Sequence, residues 1–379
     1  MDFSLSEEQM MIRDSIRDFA NEQLAPLAEE ADQQEFTHPE ILKQLAALGY
    51  CGICTPAEYS GAGFDTICYA LAIEEVSKVD ASIGITLSVT NSPAQVPILD
   101  YGSENLKQKY LPQLASGSKI GAFCLSEANA GSDAAGIKLS AELADDHYVL
   151  NGLKQFVTNG SIADIFIVFG VTDKSAGSKG ISGFVVEKSF PGIRIGKIEN
   201  KMGLKASSTT EVIFENCKVP KENLIGEPGQ GYKIALATLD HSRIGIAAQA
   251  LGIAEGAFEK ALEYSKQRVQ FGKPICQFQA IQFMLSDMAT DIEAAQFLIY
   301  NAAWLYDQGK RVSKETAMAK LFASEMSFRV VHKALQIHGG YGYMKEYPIE
   351  RMYRDQRVTE IYEGTSEVQR MVIANQLLK

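Results

Sequence analysis

Residues 281–302 read IQFMLSDMATDIEAAQFLIYNA. Ile281, Leu285, Met288, Ile292, Ala295, Ile299 and Ala302 recur four and three residues apart, so they share one seam along a helix. A seam of that period is what antiparallel bundle packing requires. On either side, Tyr232 to Arg268 and Ser313 to His338 read as two more long helices, and a shorter one follows Ser366. The Met and aromatic residues on these faces are read as bundle core.

Toward the N-terminus the period changes. Tyr148-Val-Leu-Asn-Gly152, Phe166-Ile-Val-Phe169, Phe184-Val-Val186 and Val212-Ile-Phe214 are short, rich in β-branched and aromatic residues, and separated by Gly, Asn and Asp turns. With no long helices between them they predict a compact antiparallel sheet or barrel. Before them the chain is helical again. Ser6 with Gln9 forms a capping-box pattern ahead of Met10, Ile12, Ile16 and Phe19. A second helix follows His38-Pro39, with Ile41, Leu42, Leu45 and Leu48 on one face and Gly49 as its stop. The fold class is therefore α+β, mainly α: a helical domain over 1–120, a central β domain over 121–225 and a helical bundle over 226–379.

With 379 residues and a formal net charge of −11, the chain suits a globular protein of two or three domains and argues against a nucleic-acid binder. Six scattered cysteines do not make a disulfide framework. Cys51 and Cys54 have the spacing of a redox or zinc pair, but no second pair completes a site, so buried thiols and no metal are expected. The start of the chain has neither the apolar core of a signal peptide nor an Arg-rich transit pattern. No apolar stretch approaches a membrane span. A cytoplasmic enzyme is the default expectation.

Several segments bear on chemistry. Phe123-Cys-Leu-Ser-Glu-Ala-Asn-Ala-Gly-Ser-Asp133 starts like a strand and turns through small residues, which let a backbone approach a planar or anionic ligand. Alone, such a run is more often an ordinary turn. Phe156-Val-Thr158 sets an aromatic face beside a hydroxyl. His338-Gly-Gly-Tyr-Gly342 ends a long helix, where the glycines serve either as a cap or as a backbone surface over a ligand. In Glu360-Ile-Tyr-Glu-Gly-Thr-Ser-Glu-Val-Gln-Arg370, Ser366 and Gln369 form a second capping-box pattern, so a helix begins just after Gly364. Glu363 precedes it, flanked by Ile361 and Tyr362. A carboxyl in apolar surroundings becomes a competent base near neutral pH. From the residues alone, a solvated surface glutamate remains the commoner reading. There is no Walker-type loop and no strand-anchored GxGxxG, which disfavours a nicotinamide fold.

In this order and spacing the segments resemble the acyl-CoA dehydrogenase family, and its short-chain, butyryl-CoA-type branch in particular. The likeness spans the chain and is densest at Cys124–Asp133, Arg268–Gly272, Gln336–Gly342 and Ile361–Arg370. It implies a C-terminal four-helix bundle, FAD between bundle and β domain, a homotetramer, and an electron-transfer flavoprotein as redox partner. Glu363 matches the family's base. Some members carry that carboxylate instead at the position of Ser242, which cannot serve. Phe123, Leu125, Ser126, Phe156 and Thr158 match residues around the flavin ring. Arg268, Phe271, Gln279, Gln336, Gly339 and Gly340 match other FAD contacts, part of which come from a neighbouring subunit in family tetramers. Thr365 and Glu367 match contacts at the helix start. Ser132, Asp240, Arg243 and Gly364 match positions that hold the CoA ester.

Two departures stand out. Phe156 replaces a usual Trp, and Glu127-Ala128 a usual Glu-Pro. The implied reaction is FAD-dependent α,β-dehydrogenation of a short-chain acyl-CoA. The same site run as an enoyl-CoA reductase, acyl-CoA oxidase chemistry, and a non-catalytic CoA-ester-binding or assembly role are the alternatives. The segment Asn91–Val96 is expected to line the acyl pocket.

Overall fold

The computed structural model describes residues 4–379. Seven helices come first: α1 (Glu7–Phe19), α2 (Ala28–Gln34), α3 (Pro39–Ala47), α4 (Thr66–Ser77), α5 (Ala81–Asn91), α6 (Val96–Tyr101) and α7 (Glu104–Ala115). The capping box at α1 is present in full, with Ser6 accepting from the Gln9 N–H and Gln9 reaching back to the Ser6 N–H. Gly49 stops the region after α3 with φ at +83°.

Strands β1 (Gly121–Cys124), β2 (Ser140–Ala144), β3 (His147–Thr158), β4 (Ile165–Val171), β5 (Ile181–Glu187), β6 (Ile193–Ile198), β7 (Thr209–Pro220) and β8 (Leu224–Ile225) follow. They form one sheet in the order β6-β7-β3-β2-β4-β5-β8, with β1 also paired to β4. Most pairings are antiparallel, as expected, but β1 and β2 each run parallel to β4, so the sheet is mixed. β3, which follows β2 as an antiparallel partner, carries the chain back along the sheet before β4 begins, and such a return allows the parallel sense that a direct hairpin cannot.

The rest comprises α8 (Gly231–Gln267), a ribbon of β9 (Val269–Gln270) and β10 (Lys273–Pro274), α9 (Gln279–Asp307), α10 (Ser313–His338), α11 (Ile349–Gln356) and α12 (Ser366–Leu377). On α9 the seam faces inward: Met288, Ile292, Ala295, Ile299 and Ala302 are buried, and Ile281 and Leu285 pack against them.

The two helical regions share a single core. α4 and α5 are buried on nearly every side, which matches their lack of a polar face. A Cβ on Gly252 of α8 would lie 2.2 Å from the Glu74 carbonyl oxygen, so glycine there lets α8 and α4 meet backbone to backbone. The acidic residues this buries are paired. Glu75 binds Arg17 at 2.7 Å, Lys78 binds Glu255 at 2.7 Å, and the Tyr300 hydroxyl donates to Glu74 at 2.9 Å. All six cysteines are free, and burial pushes the Cys51 thiol up to about 12, a setting that makes it unreactive. Among the described residues, no cluster of three or more His, Cys, Asp or Glu could hold a metal ion, and no helix is long and apolar enough to cross a membrane.

Candidate active site

Glu363 lies on the turn that leads into α12, with φ at +52°, and Gly364 follows at +95°. A glutamate in the left-handed region costs on the order of 1 kcal/mol, and the surroundings must impose it. Three helices do so through the turn's carbonyl oxygens. Arg243 Nε (α8) donates to Glu363 O at 3.4 Å, and Lys320 Nζ (α10) to Gly364 O at 2.8 Å. Gln369 Nε2 (α12) donates to both, at 3.2 and 2.8 Å. The helix cap falls one residue earlier than expected. Thr365 accepts from the Val368 N–H, and Ser366 is already helical with its hydroxyl buried. Either hydroxyl could cap, and the fixed direction of the Glu363–Gly364 turn selects the first.

Glu363 is half-buried as a residue, while its Oε2 is fully buried without a hydrogen-bond partner. Burial pushes the carboxyl up to about 7, against the pull of a hydrogen bond from Ser242 and the charges of Arg243 and Lys320. Ser242, on α8, thus touches the base it cannot replace. Beside it Arg243 pairs with Asp240 at 2.7 Å, and Asp240 accepts from the Ser313 hydroxyl. The structure therefore brings Glu363, Gly364, Arg243 and Asp240 together, with Thr365 and Glu367 on the adjoining first turn of α12. Ser132 stands apart from these contacts, exposed on the loop after β1.

On the β domain, Phe123 packs edge-on against Phe169, and Leu125 and Ser126 follow directly. Lys154, fully buried, fixes this segment from beneath, donating to the Leu125 carbonyl at 2.9 Å and to Glu127 at 2.8 Å. The Gln155 N–H adds a bond to Ser126 O at 2.9 Å. The β3–β7 register then shifts between Lys154 and Val157. That irregularity turns Phe156 outward, 62% exposed with φ at +58°, one residue before strand pairing resumes toward Thr158. The segment Asn91–Val96 is buried and cross-tied: Asn91 bonds the Ile53 N–H and Tyr50 O, and Ser92 bonds His241 Nδ1 at 2.7 Å.

The remaining expected residues gather elsewhere. Arg268, Phe271 and Gln279 follow the end of α8, and Gln336, Gly339 and Gly340 end α10. From Arg243 to Arg268 the chain climbs 25 residues of α8, roughly 38 Å at about 1.5 Å per residue. One chain thus presents two separate groups of residues, one a third of the way along its longest helix and one at that helix's C-terminal end.

The second group has the character of a nucleotide cradle. Tyr264, Arg268, Ile337, Gly339, Gly340 and Tyr341 line a cleft of about 520 Å³. Gly339 takes φ +60° and ψ −136°, a conformation reserved for glycine, and a Cβ on Gly339 or Gly340 would meet no atom within 4 Å. The Arg268 guanidinium lies 5.4 Å from the Tyr341 ring centre, a cation beside an open backbone surface. Phe271 is 94% exposed and meets Phe278 edge-to-face, ring centres 6.0 Å apart. These residues fit the phosphates and rings of a dinucleotide such as FAD.

Three family models cover the chain: acyl-CoA dehydrogenase N-terminal domain over 6–118, middle domain over 122–217 and C-terminal domain over 229–378. The chain belongs to the acyl-CoA dehydrogenase family. Butyryl-CoA dehydrogenase from Megasphaera elsdenii is 49% identical, covers both chains fully and superposes with a TM-score of 0.99. A chain solved with the electron transferring flavoprotein of Acidaminococcus fermentans as its subject is 52% identical over the full length of both, also at 0.99. The acryloyl-CoA reductase (NADH) of Anaerotignum propionicum is 48% identical over 100% of this chain and 96% of its own. The resemblance read from the sequence, to the family and its short-chain members, is thereby borne out.

Sequence reasoning missed Lys320 and Lys154, and it gave Gln369 a capping role in place of its bonds to the Glu363 and Gly364 carbonyls. For Lys320 a signal existed: it shares a helix face with Thr316, Ala317, Ala323 and Ser324, small residues that mark a close-packed side. Lys154 stands in a strand where no motif announces it.

Proposed function

We propose that the chain catalyses FAD-dependent α,β-dehydrogenation of a short-chain acyl-CoA to the trans-2-enoyl-CoA, with Glu363 as base and an electron-transfer flavoprotein receiving the electrons. One observation carries the reading: a carboxyl held on a strained turn, its Oε2 buried and unpartnered, with its proton affinity raised to about 7. The α-proton of a thioester is weakly acidic, and its removal needs a base poised near neutrality in a site that excludes water. Oε2 is the oxygen free to take it. Ser242 lies beside the carboxyl, and Arg243, Lys320 and Gln369 hold the turn, so the proton moves to a base that does not have to reorganise.

Bound FAD supplies the acceptor for the hydride that leaves the β-carbon. Phe123, Leu125, Ser126, Phe156, Thr158, Thr365 and Glu367 are the residues to hold it in one chain. Arg268, Phe271, Gln279, Gln336, Gly339 and Gly340, some 38 Å along α8, would hold the FAD of a second copy, which favours a homo-oligomer and, by family likeness, a homotetramer. Ser132, Asp240, Arg243 and Gly364 are assigned to the CoA ester. Similarity to the Acidaminococcus chain supports the flavoprotein partner.

A second reading runs the same site in reverse, as an enoyl-CoA reductase. It is favoured by the 48% identity to an acryloyl-CoA reductase. Anaerobic titration of the holoprotein tests both. Bleaching of the flavin by butyryl-CoA supports dehydrogenation. Reoxidation of the reduced flavin by crotonyl-CoA, without bleaching by butyryl-CoA, supports the reductase. A flavin indifferent to both esters overturns the proposal.

A further inference from the structure

Lys320 is a buried cation whose charge the proposed reaction has not yet used. It is 0% exposed, on the inner face of α10 among Thr316, Ala317, Ala323 and Ser324. A buried ammonium costs several kcal/mol unless it is compensated. Lys154, the other fully buried lysine, is compensated directly by the Glu127 carboxylate at 2.8 Å. Lys320 instead gives its hydrogen bond to a backbone carbonyl, Gly364 O at 2.8 Å, and meets Glu363 through space. A cation placed there serves the turn and the charge on it more than it serves the fold.

We propose that Lys320 is a positioning residue, which clamps the left-handed Glu363–Gly364 turn from the bundle side and adds its positive charge to that of Arg243 beside the Glu363 carboxylate. This rests on the assignment of Glu363 as base. Geometry gives each clamp a distinct role. Gln369 holds both carbonyls but carries no charge. Arg243 carries charge, but Asp240 at 2.7 Å neutralises much of it. Arg243 still acts on the carboxylate, and Lys320 adds a second positive charge, hydrogen-bonded to the turn at 2.8 Å and paired with no carboxylate among the described residues.

The other groups that face this pair are distributed as follows. α8 contributes Arg243 and Asp240, the turn before Glu363 contributes Glu360, α12 contributes Glu367, and Tyr69 and Tyr362 supply buried phenols that sense the Glu363 charge. Burial holds Lys320 down to about 8 and Glu363 up to about 7, so near neutral pH each sets the charge the other feels.

The test compares the holoprotein with Lys320→Met, which removes both charge and donor, and Lys320→Gln, which keeps a donor. Thermal stability is recorded across pH, together with the pH profile of flavin bleaching by butyryl-CoA. Loss of the cation is expected to raise the proton affinity of Glu363 about tenfold. The Glu363-linked midpoint near pH 7 then moves up by about one unit in both variants, in stability and in the acid limb of the bleaching rate alike. Lys320→Met should also lower the limiting bleaching rate more than it changes half-saturation by butyryl-CoA. Midpoints unmoved in both variants overturn the proposal. A wild type that no ester bleaches would sink the assigned function, yet the stability midpoints would still decide the role of Lys320.

Discussion

Glu363→Gln should make the protein more stable where the wild type ought to work best. In the fold the carboxyl titrates at about 7, and in an unfolded chain near its ordinary 4.5. The folded state therefore binds this proton more tightly. The sign is fixed by that: the stabilisation is complete below pH 4.5 and is lost as pH rises through 7. A gap of 2.5 in pKa corresponds to about 3 kcal/mol, and since Glu363 is half-buried, about 2–3 kcal/mol is the working figure. Glutamine keeps the shape and mimics the neutral acid, so it avoids this loss. For 379 residues the unfolding entropy is about 0.8 kcal/mol/K, which converts the difference into roughly 3–4 °C of melting temperature. Calorimetry of both holoproteins at matched flavin content should give nearly equal melting temperatures at pH 4 and a Gln variant about 3–4 °C higher at pH 8.5. Parallel curves at all pH values would refute the argument that burial raises Glu363.

Two further perturbations probe other parts of the account. Gly340→Ala adds a Cβ where no atom lies within 4 Å, so the stability of the flavin-free chain should change by less than about 0.5 kcal/mol while FAD binds at least tenfold more weakly. Equal FAD affinity, read by equilibrium dialysis, would remove Gly340 from the cradle. His241 is buried, bonded to Ser92 and stacked on Tyr69, and burial holds its imidazole down to about 4. Its contribution, up to about 3 kcal/mol, is present above pH 6.5 and lost as pH falls through 4. His241→Gln should flatten the acid side of the urea-midpoint curve, and an unchanged slope would count against this.

The bundle was legible because a period survives in the sequence whatever packs against it. The seam from Ile281 to Ala302 and the span from Ser313 to His338 needed only local rules. The parallel pairing of β1 and β2 with β4 was not legible, since strand direction is set by where the chain goes between strands and not by their composition. Ile361 and Tyr362 drew attention to Glu363, but only the family resemblance made it the expected base. Its burial was not legible, because that depends on α8 and α10, some 120 and 40 residues away. For the same reason Lys320 was passed over, and the resemblance implied that part of the cofactor set serves a neighbouring subunit without dividing it, a division that the length of α8 suggests.

The most direct test of Glu363 as base is rapid anaerobic mixing of butyryl-CoA with the wild-type and Glu363→Gln holoproteins, both fully loaded with FAD, while flavin absorbance is followed. General-base catalysis is worth about 10²–10⁴ in rate, so the Gln variant should bind the ester and bleach at least about a hundredfold more slowly. Bleaching within tenfold of the wild-type rate would contradict the account.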